Sequence, residues 1–468
     1  MLIKNAGDFM EKYRIESDSI GEREIPIDAY YGVQSLRGKE NFGISGRLVH
    51  PEMVRAIVEV KKAAAITNRD VGAIDARIAS AMIVACDDIL GGGYEDQFIV
   101  YAVQGGAGTS LNMNANEVIS NRAIELLGGR KGDYSLVHPN DHANCAQSTN
   151  DAYPSAGKIA TIRLLDRAII ALERLTASIL AKAEEYSDVI KMGRTEMQDA
   201  VPISFGQVFT AYSEAFKRDI KRFAIAKDEL SVMNMGGTAI GTGLNALPEY
   251  IDQIVGNLSA VTGLDLTLAN DLIDSTQNLD VLVFVSGIVK SAAVSLSKMA
   301  NDLRLMSSGP RCGLGEITLP ARQNGSSIMP GKVNPVIPEV VSQIAFNVIG
   351  NDTTITMAAE AGQLELNAFE PILFYCLFEN LDMLARGAEI FAKDCIDGIV
   401  VNRESCRDEV ERSIGIVTAL CPKLGYARSA KIAKRALREG RYVRDVILEE
   451  TDLSSDEVDA LLDPRGMV

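Results

Sequence analysis

The stretch IATIRLLDRAIIALERLTASILAKAEEY, from Ile159 to Tyr186, decides the fold. Ile162, Leu165, Ile169, Leu172 and Ile179 recur at three- and four-residue spacing, with Thr176 in the same seam. That period lays one apolar stripe along a helix, the face a bundle helix turns to its neighbours. Similar patterns recur on the C-terminal side. One runs from Phe205 through Val208, Phe209, Tyr212, Phe216, Ile220 and Phe223 to Leu230. Another, Leu279 to Met306, is apolar nearly all round and rich in small residues, as expected of a helix surrounded by protein. Two more are predicted over Val336–Ile349, with Pro335 and Pro338 near its start, and over Pro371–Lys393. Period-two alternation is scarce, so few strands are expected. The reading is a mostly helical chain with a long central bundle and functional loops between the helices. Helices this long often bury a second face against another subunit, which predicts an oligomer. From Asn402 onward the pattern is shorter and more charged, with a helix over Val446–Leu462, and suggests a small C-terminal domain.

Composition narrows the function classes. The 468 residues are 47% hydrophobic and 24% charged, an ordinary soluble balance with a large core. A net charge of −16 argues against a nucleic-acid or anionic-membrane partner. It also means that an anionic substrate needs a local positive pocket. Met1 to Glu16 carries charges and no apolar core, so no secretory leader is read there. The most apolar run, Val281–Val289, is bounded by Asp280 and Lys290 and is shorter than a membrane span. The seven cysteines are scattered without a CxxC pair and read as reduced thiols of a cytoplasmic protein. The acidic tail from Glu449 to Asp463 reads as a solvated helix face.

Four polar clusters interrupt the helical pattern. Gln104–Ser110 (QGGAGTS) precedes Asn112, Asn114, Asn116 and Glu117. Such a loop presents backbone N–H groups to an anion, or is simply a helix start capped by Thr109 or Ser110. Gln147–Asp151 (QSTND) offers two hydroxyls and an amide at a positive helix end, which suits a carboxylate; it also serves as a capping run. Gly193–Ala200 (GRTEMQDA) reads as another cap ahead of a helix, with a solvated charged face. Gly325–Pro335 (GSSIMPGKVNP) combines two serines, a lysine and flanking glycines in a lid-like loop. None of the three histidines, His50, His138 and His142, lies in a cluster. A Ser-His-Asp triad and a histidine metal site are therefore not expected, and no dinucleotide fingerprint follows a strand. A general base must be a hydroxyl, a carboxylate or the lysine.

These clusters resemble the signatures of the aspartase/fumarase superfamily. GSSIMPGKVNP matches the superfamily loop residue for residue, and QSTNDAYPSA (Gln147–Ala156) is similar to the aspartase form, with Thr149 where fumarases usually have Ser. GRTEMQDAVP (Gly193–Pro202), GGAGTSLNMNANEV (Gly105–Val118) and AYYGVQSLR (Ala29–Arg37) follow the same pattern. The likeness runs from about Arg14 through SIGIVTAL (Ser413–Leu420), nearly the whole chain. It implies a three-domain, all-α subunit divided at residues 1–147, 148–401 and 402–468. It also implies a homotetramer with a twenty-helix core, composite active sites and a small dicarboxylic amino acid as substrate. No cofactor is implied, and activation by a divalent cation stays open.

The resemblance assigns roles by position. Ser326 is the general base that takes the proton beside the substrate's side-chain carboxylate. Thr109, Ser148, Thr149 and Ser327 bind that carboxylate; Lys332, Asn334 and Thr195 bind the other; Asn150 contacts the leaving amine. Ser110, Glu196 and Met329 complete the substrate-binding set. Chemistry supports the division, because proton removal beside a carboxylate creates a dianionic enediolate that must be stabilised more than the ground state. One residue departs from the pattern. Glu196 stands where the superfamily most often has His and some aspartases have Gln. Either Glu196 faces the substrate ammonium or is held protonated, or it marks a substrate with an extra cation or a substituted amine. A non-catalytic scaffold would have no use for Ser326, Lys332 and Asn334.

Overall fold

The computed structural model describes residues 12–468, which form two compact units. Residues 1–11, most of the segment read as carrying no leader, lie outside the described residues. The first unit comprises residues up to 167 together with 222–290 and 348–382; the second comprises 168–221, 291–347 and 383–468.

The chain is mostly helical, as the patterns imply. It opens on a hairpin, β1 (Tyr13–Asp18) with β2 (Gly21–Pro26), then α1 (Val33–Asn41), α2 (Pro51–Asp70), α3 (Ala76–Leu90) and α4 (Thr109–Leu126). α5 runs from Thr149 to Glu185, the hairpin β3–β4 from Ile190–Thr195 to Gln198–Ser204, and α6 from Phe205 to Leu230. Then follow α7 (Pro248–Thr262), α8 (Leu272–Gln277), α9 (Asp280–Met306), α10 (Val336–Glu360) and α11 (Glu370–Asp394). The tail holds α12 (Arg403–Arg412), α13 (Cys421–Leu424), α14 (Tyr426–Glu439), α15 (Val443–Glu450) and α16 (Ser455–Leu462). Two further sheets are two-residue pairings, Val232–Met233 with Thr267–Leu268 and Ile317–Thr318 with Val400–Val401.

In the first unit α2 packs on α3, α4 and α7. Its start is cut sharply: Pro51 takes the first helical position and the His50 ring accepts the Glu52 N–H. Met53, Ile57, Val60 and Ala64 then form the fully buried stripe. In the second unit the tail builds its own core, where Val410, Leu420, Ile432, Val446, Ile447 and Val458 close over Met192 of β3. The single helix expected over Val446–Leu462 is two, α15 and α16. Ser454 breaks it by forming a capping box with Glu457 at the start of α16. The acidic tail is also not a bare face: Glu449 pairs with Arg435 and Arg441, Glu450 with Arg435, and Asp459 with Arg444.

α9 corrects the expectation on apolar length. It is 27 residues long and, by length and composition, apolar enough to cross a membrane, with 44% of its most apolar window buried. The run after Lys290 continues in Ala, Val and Leu and raises the average beyond the nine-residue core. Lys290 itself pairs with Asp352 at 2.6 Å, and Ser286 donates to the same carboxylate at 2.7 Å.

Candidate active site

Two of the polar clusters meet in the first unit. α4 begins at Thr109, and its cap is neither Thr109 nor Ser110 but Gly108, at φ +95° with no side-chain cap. A Cβ at Gly108 would stand 2.3 Å from the Tyr153 ring of α5, so only glycine lets the two helix starts approach. The Thr109 hydroxyl lies 2.6 Å from the Gly106 carbonyl and 3.3 Å from the Thr149 hydroxyl. Thr149 opens α5 and is buried, whereas Thr109 is exposed.

Ser148 caps α5. Its oxygen accepts the Asn150 N–H at 3.2 Å, while its own N–H donates to Asp151 Oδ1 at 2.9 Å, a reciprocal arrangement. The other Asp151 oxygen accepts the N–H groups of Gly236 and Thr238, both at 3.1 Å. Burial raises the Asp151 carboxyl to about 6, against the pull of those three N–H donors. The glycine-rich joint after Met235 thus lies on the head of α5, where Asn150 Nδ2 also donates to the Ala239 carbonyl at 2.7 Å. Pro154 cannot supply the N–H that the Asn150 carbonyl would receive in a regular helix; Asn234 Nδ2 supplies it instead, at 3.0 Å. Ser110 and Thr109 both line a 180 Å³ cleft with Gln34, Arg37 and Asn41.

The remaining predicted residues lie in the second unit. The cluster around Thr195 and Glu196 is not a helix cap: it is the tip of the β3–β4 hairpin. Thr195 pairs with Gln198, and the two loop residues, Glu196 and Met197, sit at φ +52° and +65° with their side chains exposed. Behind the tip, Arg194 donates to Glu316 at 2.7 Å and to Glu409 at 2.8 Å, and Lys191 reaches Glu316 at 3.1 Å. Burial pushes the Glu409 carboxyl upward; Arg194 opposes that and neighbouring Glu316 adds to it. An 810 Å³ cleft beside the hairpin is lined by Thr195, Glu196, Tyr212, Lys298 and Asp302, among others.

The loop Gly325–Pro335 is irregular and well exposed. Ser326 is half-buried; Ser327, Met329 and Lys332 are exposed, and Ile328 is 83% exposed. The loop is closed at its neck, where Asn334 Nδ2 donates to the Gly325 carbonyl at 3.0 Å. A Cβ on Gly325 would lie 2.2 Å from the Lys332 carbonyl oxygen. The Ser326 oxygen accepts two backbone N–H groups, from Met329 at 2.9 Å and Ile328 at 3.2 Å. Among the described residues no group of three or more His, Cys, Asp or Glu is placed to hold a metal ion.

Residues 21–350 match the family profile described as Lyase. An aspartate ammonia-lyase of Bacillus subtilis is 51% identical over 98% of this chain and 96% of its own length. The chain belongs to the aspartate ammonia-lyase family. Membership of the aspartate ammonia-lyase family makes it a carbon–nitrogen lyase, and the likeness extends past the Lyase region, since residues 416–468 match a profile described as Fumarase C C-terminus. Two solved structures share the fold. A fumarate lyase:delta crystallin of Brucella melitensis, bound to cobalt, has a TM-score of 0.95 and 49% identity over 97% of this chain and 99% of that one. A class II fumarase of Schistosoma mansoni has a TM-score of 0.94 and 33% identity over 97% of this chain and 99% of that one.

Two residues behind the candidate site lie outside every motif read in the sequence, Asn144 and Lys61; Asp151 lies inside QSTND but carries no role in that reading. Lys61 left a signal in the sequence, because it falls between Ile57 and Ala64 on the apolar stripe of α2. A lysine at that phase of a buried stripe requires a polar partner inside.

Proposed function

We propose that the chain deaminates L-aspartate reversibly to fumarate and ammonia, with Ser326 as the base. The observation that carries this reading is the environment of the Ser326 oxygen. It accepts the Ile328 and Met329 N–H groups, an arrangement that favours the alkoxide over the neutral hydroxyl. Lys332, six residues on in the same loop, adds a positive field.

The alkoxide takes a proton from the carbon beside the side-chain carboxylate, and the electron pair moves onto that carboxylate as an enediolate. The pair then returns to form the carbon–carbon double bond while the bond to nitrogen breaks and ammonia leaves. Thr109, Ser148, Thr149 and Ser327 hold the carboxylate whose charge grows, each donor contributing about 2.7–4 kcal/mol in the manner of an oxyanion hole. Lys332, Asn334 and Thr195 hold the other carboxylate, Asn150 faces the amine, and Ser110, Glu196 and Met329 border the substrate. The divisions at 1–147, 148–401 and 402–468 and a homotetramer with composite sites belong to the same proposal. Large apolar side chains exposed on the long helices support assembly: Ile170 of α5, Phe284 and Val294 of α9, and Phe346 and Met357 of α10. The reading includes a soluble cytoplasmic protein that needs no organic cofactor, with divalent-cation activation decided by assay in the presence of chelator.

Glu196 favours a second reading, a lyase for an N-substituted or cationic amino acid, because an exposed carboxylate on the hairpin tip suits a cation. The test is the ultraviolet absorbance of fumarate formed from L-aspartate, with L-malate as control. A rise with aspartate alone supports deamination. A folded protein with no rise on either substrate overturns it and turns the search to cationic and N-substituted amino acids.

A further inference from the structure

Lys61 is fully buried, yet among the described residues no carboxylate lies at hydrogen-bond distance from its ammonium. It donates to two side-chain amides, Asn144 Oδ1 and Gln147 Oε1, both at 2.9 Å. Asn144 Oδ1 also accepts Asn112 Nδ2 at 3.0 Å and Asn116 Nδ2 at 3.2 Å, both from α4. Asn144 Nδ2 then donates to the Gln147 carbonyl at 3.1 Å, and Gln147 Nε2 to the carbonyls of Ala143 and Cys145. The loop tied down in this way ends at Ser148, and the helix that helps tie it begins at Thr109. Burying a charge against neutral amides is an expensive way to hold a loop, so its presence calls for a function beyond packing.

We infer that Lys61 is a positioning residue: through Asn144 and Gln147 it fixes the Ser148–Thr149–Asn150 turn against Thr109. The inference rests on the reading of that turn as the carboxylate- and amine-binding half of the site. The donors must match the enediolate more closely than the ground state, so loosening the turn should fall on kcat more than on KM. Misplacement on the scale of an ångström costs about 100-fold.

The experiment compares the wild type with Lys61→Met, Thr149→Val and the double variant, using L-aspartate. Lys61→Met should lower kcat about 100-fold with KM within about threefold, and the double variant should be little worse than the poorer single one. Arg163→Met, which leaves the buried Glu59 of the same α2 with the more exposed Arg55 as its ion-pair partner, provides the destabilised control and should lower the melting temperature with kcat retained. Gln147→Leu removes one arm of the network and should show the same kcat pattern if Lys61→Met does not fold. Hydrogen exchange gives a second readout that needs no turnover: the amides of 145–150 should exchange faster in Lys61→Met, with the rest of the chain as in the wild type. Full kcat in both Lys61→Met and Gln147→Leu, losses that multiply fully with Thr149→Val, or unchanged protection of 145–150 would each overturn the inference. A wild type inactive on aspartate would instead overturn the deamination reading, and the exchange result would still decide the role of Lys61.

Discussion

The turn at Ser148–Asn150 and the loop at Gly325–Pro335 carry the same kinds of side chain and are built in opposite ways. At the turn, Asp151 binds three backbone N–H groups, Asn150 is tied through both its side chain and its carbonyl, and a buried lysine lies behind. In the loop, one amide closes the neck and two N–H groups cup a serine oxygen, while Lys332 and Met329 stand in solvent. The difference matches two chemical demands. Donors that stabilise growing charge work best when already in place, because no reorganisation is then required as the charge forms. A strong base and the groups that shut out water belong on a segment that can let substrate in.

Removing the base itself should cost the most activity. Ser326→Ala should lower turnover of aspartate by up to about 10⁴-fold, the upper range for a positioned acid or base, with folding and oligomeric state unchanged. Fumarate absorbance and size-exclusion chromatography read the two halves of that statement. Loss of assembly alongside activity would make the loop a structural element. Thr149→Val comes next. It removes one preset donor, so kcat should fall about 10²–10³-fold, with a smaller change in KM. A rise in KM alone would mean that the turn binds substrate and transition state equally.

Glu196→Gln sharpens the contrast at a third place. If the carboxylate faces the substrate ammonium, the amide should raise KM for L-aspartate by a few-fold, the scale of an exposed ion pair. A fall in KM would favour the cationic-substrate reading, and an unchanged value would put Glu196 outside the site.

The sequence was legible where apolar side chains set the period and opaque where polar ones did. α6 runs from Phe205 to Leu230 as its aromatic stripe requires. α5 starts at Thr149 rather than Ile159, because its first turns bury Thr149, Asp151 and Ser155, which carry no hydrophobic signal. α10 reaches Glu360 rather than Ile349 for a similar reason: Asp352 is buried in mid-helix as the acceptor for Ser286 and Lys290. The sequence of the β3–β4 hairpin reads as a helix cap. A two-residue turn with both φ positive usually announces itself as Asn-Gly, and here the residues are Glu-Met. A register shift between Met192 and Arg194 further blurs the alternation. The motif residues were legible individually; the buried support beneath them, Lys61 with Asn144, was legible only through the phase of a helix stripe.

That buried support also makes itself felt in how stability depends on pH. Burial lowers the Lys61 ammonium to about 7 from its ordinary 10.5, with Asp151 pulling the other way and Cys86 a minor neighbour. Below about pH 7 the lysine is protonated whether the chain is folded or not, and the cost of burying the charge is fully present. Between about 7 and 10.5 the unfolded chain binds the extra proton and the folded chain does not, so stability rises with pH through that window. Asp151 contributes its slope lower down: its raised carboxyl makes stability fall as pH climbs from 3.8 to about 6. Cys86 opposes Lys61 at the top, because burial keeps its thiol neutral when the unfolded one ionises near 9.0. Neither neighbour alone defines the curve, so the quantity to measure is the wild-type melting temperature minus that of Lys61→Met at each pH. That difference should grow by about 1–2 °C for each pH unit above 7. A flat difference would mean that the folded chain holds the Lys61 proton as readily as the unfolded one, so that the amide partners compensate the buried ammonium in full.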